Sequence, residues 1–150
     1  INPDIKFTSV MSGSWTDVAK GKEIGISMIS TNKADVIFSF ASGVDAGVRE
    51  ACQSADNVYF IAQPSESHDT APDITVTSII QSNEALIYHA METAANGTFK
   101  GGYYIAGFED GGTCSLGVFG DFFDADKQAK VNDVINKIKS GEIDCDSYAK

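Results

Sequence analysis

Ala34-Asp35-Val36-Ile37-Phe38-Ser39-Phe40-Ala41-Ser42-Gly43-Val44-Asp45-Ala46-Gly47-Val48 is the stretch that decides the fold. Residues 34–40 are nearly continuous in apolar side chains, the pattern of a parallel strand covered on both faces. Ala41-Ser42-Gly43 then breaks the run, and Val44, Val48, Ala51 and Ala55 recur at i, i+4, i+7 and i+11, the stripe of a helix. A further strand, Val58 to Ala62, follows directly. Upstream, Ile5, Phe7 and Val10 form a short β-prone run that ends at Ser12-Gly13-Ser14, and Thr16 or Asp17 offers an N-cap for a helix reaching about Thr31. The first 62 residues therefore read β-α-β-α-β.

Downstream, Asp73 to Ile80 reads as a fourth strand, and Ser82 to Ala95 as a helix with Leu86, His89, Ala90, Thr93 and Ala94 on one face, closed at Asn96-Gly97. Past residue 100, Tyr103 to Phe108 and Ser115 to Phe119 look like two short strands joined by a Gly-rich turn. A last helix runs from about Asp126 to Ser140, with Val131, Val134, Ile135 and Ile138 on one side. Strands separated by helices of this length predict an α/β fold: a three-layer α/β/α parallel sheet with right-handed crossovers. Residues 1–150 are expected to form a single domain, a length that buries roughly two-thirds of the unfolded chain's surface.

Composition narrows the function. A formal net charge of -10, with eleven Lys and Arg residues scattered and no basic stripe, argues against a nucleic-acid partner. No apolar run approaches the roughly 20 residues that span a bilayer. The sequence opens at Ile1 with neither a methionine nor a charged-then-apolar leader, as after removal of a targeting segment or in a piece of a longer chain, of which the second is expected. Cys52, Cys114 and Cys145 lack zinc-ligand spacing. Cys52 falls on an apolar helical stripe, as a buried thiol does, and pairing of Cys114 with Cys145 is left open.

In open parallel sheets, ligands bind outside the carboxyl ends of the strands, so the loops after each strand carry the chemistry. The first holds Trp15, the only tryptophan, whose face can stack on a planar ring or equally plug the sheet end. The second, Ala41 to Gly47, leads into a helix N-terminus that attracts polar oxygens, or is simply a tight turn. The third contains Glu66, His68 and Asp69, beside which no nucleophile with an oriented base can be identified, and it reads as a solvated loop. Asp121, Asp124 and Asp126 lack the glycine and closing glutamate of a calcium loop and read as a helix entrance. No catalytic set, metal or cofactor is expected. The chain reads as a binding protein and not an enzyme.

Four segments carry a resemblance. They are Gly13-Ser14-Trp15-Thr16-Asp17 with Gly21-Lys22-Glu23; Ala34 to Phe38 with Ser42-Gly43 and Gly47-Val48; Val76-Thr77-Ser78-Ile79; and Gly97 to Gly102. Their order and spacing resemble the C-terminal part of the basic membrane protein family, nucleoside-binding lipoproteins of the type I periplasmic-binding-protein fold. The resemblance implies one of two lobes that close on a small ligand, such as a nucleoside or a sugar-like molecule, for delivery to an ABC permease. It also implies a missing N-terminal lobe and an extracytoplasmic location, periplasmic or lipid-anchored. The site it implies uses Trp15 and Phe40 as stacking walls, Ser42, Gly43 and Asp45 as polar and backbone contacts, and Gln63 and Gln81 as side-chain hydrogen-bonders. Two positions depart from the family pattern: Gln63-Pro64 replaces a turn whose aspartate grips the ribose, and Gln81 replaces a lysine. A ligand-sensing regulatory or signalling domain of the same fold is the alternative. The segment from Tyr103 to Phe119 is expected to pack locally or to exchange with a second copy in a homodimer.

Overall fold

The structure, a computed structural model, describes residues 3–108 and 112–148. Helix α1 (Val18–Ser30) begins at Asp17, whose carboxylate accepts the Lys20 N–H at 3.0 Å. Strand β1 (Val36–Phe38), helix α2 (Val44–Gln53) and strand β2 (Tyr59–Ala62) follow, then a 3-10 turn at His68–Thr70 and strand β3 (Thr75–Gln81). Helix α3 (Asn83–Ala95) is capped by Ser82, strand β4 spans Cys114–Leu116, and helix α4 (Ala125–Lys139) is capped by Asp124. These caps satisfy N–H groups that a helix start leaves without an internal partner.

The α/β class expected from the sequence holds. Among the described residues the sheet has four strands in the order β1-β2-β3-β4. The first three run parallel, Val36 facing Tyr59 and Phe60 facing Thr75. The fourth is antiparallel, Gln81 facing Cys114, so the sheet is mixed where an all-parallel one was expected. β4 begins beside the end of β3, where the Ser82 N–H donates to the Thr113 carbonyl at 2.9 Å, and so runs back along it.

Two expected strands do not form. Neither Ile5 to Val10 nor Tyr103 to Gly107 has regular structure or a pairing strand. A strand is a pairing, and β-prone residues without a neighbouring edge stay unpaired whatever their propensity. Tyr104 instead stacks on His89, with ring centroids 4.0 Å apart, while Tyr103 and Ile105 face solvent. Residues 109–111, where the expected Gly-rich turn falls, lie outside the described residues.

The core lies on one side of β1 and β2, where Ile37, Phe60 and Ala62 meet Val44, Val48 and Cys52 of α2, with Met28 and Ile29 of α1 at the edge. Fully burying each large apolar side chain contributes about 1.5–3 kcal/mol. Helices α1 and α2 touch backbone to backbone through glycines. A Cβ on Gly47 would meet the Val18 carbonyl and lie 2.6 Å from the Lys22 nitrogen, and one on Gly25 would lie 2.7 Å from the Ala51 Cβ. Gly21 sits in the same way against Val44. Gly47 is thus neither a turn nor a ligand contact; it lets two helices approach.

On the other side of β1 the expected cover is missing. Val36 is 46% exposed and Phe38 51%, so a run whose composition predicts burial on both faces is buried on one. Helix α3 buries no residue, and α4 lies against β4, where Asn132 and Ile135 line a shallow 410 Å³ cavity with Leu116 and Phe119.

Candidate functional site

Strands β1, β2 and β3 direct their carboxyl ends the same way, so the loops after them share one end of the sheet. The 12–17 loop joins them. It is internally braced: the Ser12 hydroxyl donates to the Ser14 carbonyl at 2.7 Å, and Ser14 Oγ accepts the Asp17 N–H at 3.1 Å. The Gly43 N–H then donates to the Trp15 carbonyl at 2.9 Å, which ties this loop to the one after β1. A Cβ at residue 43 would sit 3.2 Å from that carbonyl, so glycine permits the contact.

The expected site residues fall into two neighbouring groups. Trp15 and Phe40, 64% and 61% exposed, leave their rings in solvent on adjacent loops. Ser42 is exposed and holds φ at +56°, a left-handed backbone that disfavours a non-glycine residue. Asp45 differs from the rest, because it is buried and its Oδ1 accepts the Ser39 hydroxyl and, at 2.8 Å, the Ala41 N–H. Its carboxylate shapes the loop from within. The N–H groups of Val44, Asp45 and Ala46 donate to Ala41, Ser42 and Gly43 carbonyls, so the α2 entrance is a tight turn rather than a set of free donors.

Gln63 follows β2 at the level of Phe40, and its Nε2 is buried with no hydrogen-bond partner. Gln81 ends β3 with an exposed side chain, and its N–H donates to the Pro64 carbonyl at 2.9 Å. The two glutamines therefore sit on joined segments beside the aromatic pair. Amides offer both a donor and an acceptor, so this sheet end can hydrogen-bond a neutral polar ligand whose flat part rests on an aromatic face.

Glu66 is the residue that sequence reading missed. Its side chain is exposed, yet its Oε1 accepts from the Ser67 and His68 N–H groups and the Ser78 hydroxyl, all at 2.9 Å. Burial pushes its pKa up, but these bonds and one from the Val118 N–H outweigh it and hold the carboxyl below the usual glutamate value. Nothing local in the sequence signals this brace, since Ser78 and Val118 lie far along the chain. His68 Nδ1 is 3.6 Å from Asp69 Oδ1. Among the described residues no group of three or more metal-ligating side chains occurs, and no helix is long and apolar enough to cross a membrane.

A family model described as Bmp, ABC transporter substrate-binding protein PnrA-like, matches residues 1–147. The chain belongs to this family. Bmp proteins are binding proteins rather than enzymes, in keeping with the lack of a catalytic set in the sequence. The fold recurs in solved structures. A transcriptional activator of the comK gene from Bacillus halodurans is 24% identical, with a TM-score of 0.72 over 83% of this chain and 43% of that one. An ABC transporter solute-binding protein from Aeropyrum pernix K1 is 20% identical, with a TM-score of 0.69 over 93% of this chain and 49% of that one. Another, from Conexibacter woesei DSM 14684, is 20% identical, with a TM-score of 0.68 over 95% of this chain and 47% of that one. The Bmp chain thus spans a little under half the length of these structures. No curated protein matches it. Of the three cysteines, Cys52 is buried, Cys114 half-buried and Cys145 exposed.

Proposed function

We propose that this chain is the ligand-gripping lobe of an extracytoplasmic ABC transporter substrate-binding protein. It closes with a second lobe on a nucleoside or sugar-like molecule and presents it to the permease. The observation that carries this reading is the Gly43-to-Trp15 hydrogen bond, which sets Trp15 and Phe40 on adjacent loops at the sheet end where Gln63 and Gln81 also lie. Family membership supports the transport role. Closure needs only hinge motion, and no bond is made or broken.

The test is calorimetric titration of the complete gene product with adenosine, inosine, uridine and ribose. Phe40→Ala and Trp15→Ala should each weaken nucleoside binding at least tenfold, and Gln63→Ala by a smaller factor. Binding untouched by all three variants places the ligand elsewhere. If ribose alone binds, the stacking role fails and a sugar-type ligand stands.

A ligand-sensing role is the second reading, favoured by the transcriptional activator that shares the fold. A helix-turn-helix in the complete gene product decides for it, and a lipid-anchoring cysteine decides against it. Exchange of the Tyr103 to Phe119 segment between two copies is a separate proposal, supported by the exposed Tyr103 and Ile105. β4 already pairs with β3 of its own chain. A mass that stays monomeric across a concentration series overturns exchange.

A further inference from the structure

Phe38 faces Ile61 and Ala62 faces Ser78, so the same register sets Phe40 opposite Gln63 and Gln63 opposite Ile79, with Gln81 two residues further along β3. The pairing does continue past Ala62, because the Gln81 N–H donates to the Pro64 carbonyl at 2.9 Å. Opposed residues point to one side of a sheet and alternate residues return to it. Phe40, Gln63 and Gln81 therefore share a side, opposite to the one on which Ile37, Phe60 and Ala62 pack on α2.

Neighbouring strands lie about 4.8 Å apart, so a flat ligand resting on the exposed Phe40 ring lays its own edge against Gln63, with the Gln81 amide one strand further on. Gln63 Nε2 is a buried donor with no partner, and buried donors are otherwise paired, so an acceptor on that edge completes it. The neighbouring hydroxyls of a sugar call for a different group. A carboxylate holds them best, since it accepts from both and its charge strengthens each bond. In the loops around Phe40 and Gln63 the carboxylates are engaged: Asp17 accepts the Lys20 N–H, Asp45 the Ser39 hydroxyl and the Ala41 N–H, and the two oxygens of Glu66 hold Ser78 and Val118. Asp69 lies back along β3, between Ser67, whose N–H donates to Ser78 Oγ at 3.0 Å, and Ala71, whose carbonyl accepts the Thr75 N–H at 3.0 Å. Glu84 stands on α3, past Gln81 and two strands from Phe40.

We propose, on the basis of the binding site assigned to this lobe, that the ligand is selected by its base and not by its sugar. Gln63 Nε2 donates to a ring nitrogen or carbonyl on the edge of a planar nitrogen heterocycle stacked on Phe40, and Gln81, which both donates and accepts, meets the neighbouring position. An amide suits such an edge, where a donor and an acceptor lie side by side. Free nucleobases are then ligands in their own right, nucleosides are accepted with them, and the ribose hydroxyls contribute no affinity.

Calorimetric titration of the complete gene product tests this with three sets: adenine, adenosine and 2′,3′-dideoxyadenosine; hypoxanthine, inosine and 2′,3′-dideoxyinosine; uracil, uridine and 2′,3′-dideoxyuridine. In any set that binds, the free base and the dideoxynucleoside should bind within threefold of the nucleoside. A nucleoside bound tenfold or more tightly than either overturns the proposal and leaves the transport reading standing. Ribose bound in preference to every base, or no binding in any set, overturns both. Gln63→Met keeps the side-chain length and removes the buried donor, and it should weaken base and nucleoside by the same three- to tenfold factor. A loss confined to the nucleoside assigns Gln63 to the sugar and overturns the proposal, as does unchanged binding of both. Should that variant fail to fold, the comparison of base with nucleoside on the wild-type protein decides alone.

Discussion

The main-chain N–H of Val118 donates to Glu66 Oε2 at 2.7 Å, across 52 residues of sequence. Through its other oxygen the same carboxylate holds Ser78 of β3 and the turn at Ser67 and His68. One exposed acidic side chain thus fastens the loop after β2 to the middle of β3 and to the segment after β4. Gly117 completes the arrangement, because a Cβ there would run into Glu66 Oε2.

Glu66 should make stability depend on pH. Its pKa is lower in the folded chain than in the unfolded one, so its contribution is fully present above the unfolded value and is lost as pH falls through the folded one. Glu66→Gln should cost about 1 kcal/mol near neutral pH and flatten the decline in stability below roughly pH 4. Urea midpoints measured from pH 7 down to pH 3 check this, and parallel profiles for the two proteins would contradict it.

The helix seam gives a sharper mutational contrast. Gly47→Ala forces a methyl group into the Val18 carbonyl and should destabilise the fold by about 1–3 kcal/mol or more. Gly101→Ala meets nothing within 4 Å and should change stability by less than about 0.5 kcal/mol. Denaturant unfolding of the pair distinguishes close packing from a general intolerance of alanine.

Asp45→Ala removes the acceptor of two inward donors, the Ser39 hydroxyl and the Ala41 N–H. A buried donor left unpaired costs about 1–3 kcal/mol, so thermal unfolding should shift down by several degrees. Ligand affinity should fall only through the disordered 39–43 loop, and Ser39→Ala should lower stability by less than Asp45→Ala does.

Thiol reactivity should rank by burial. Cys52 is fully buried, and burial pushes its thiol up to about 11, so at pH 8 it should stay silent toward an aromatic disulfide reagent until the protein unfolds. Exposed Cys145 should react first. Rapid labelling of Cys52 in the folded protein would show that α2 opens locally.

Local signals in the sequence were read closely where the physics is local. Asp17, Ser82 and Asp124 cap helices because a short oxygen-bearing side chain can reach N–H groups three residues on, and the stripe of Val44, Val48 and Ala51 buries because a helix returns to the same face every three to four residues. The loops carrying Phe40, Gln63 and Gln81 could be placed at one sheet end because parallel strands point their ends together, whereas Trp15 joins them through the Gly43 hydrogen bond and not through a strand of its own. The roles of Glu66 and Asp45 were not legible, since a carboxylate reads the same in any sequence until its partners are placed.

The sequence by itself determined the α/β class, the four helices, the Asp17 cap, the parallel run of β1, β2 and β3 and the family segments, all of which rest on spacings of a few residues. Only the tertiary structure decided that β4 runs antiparallel, that Gly47 is a packing glycine, that Glu66 is a brace, and that Ile5 to Val10 stays unpaired. Each of these depends on which groups from distant parts of the chain come within hydrogen-bonding or van der Waals reach, and the order of residues along the chain does not state that distance.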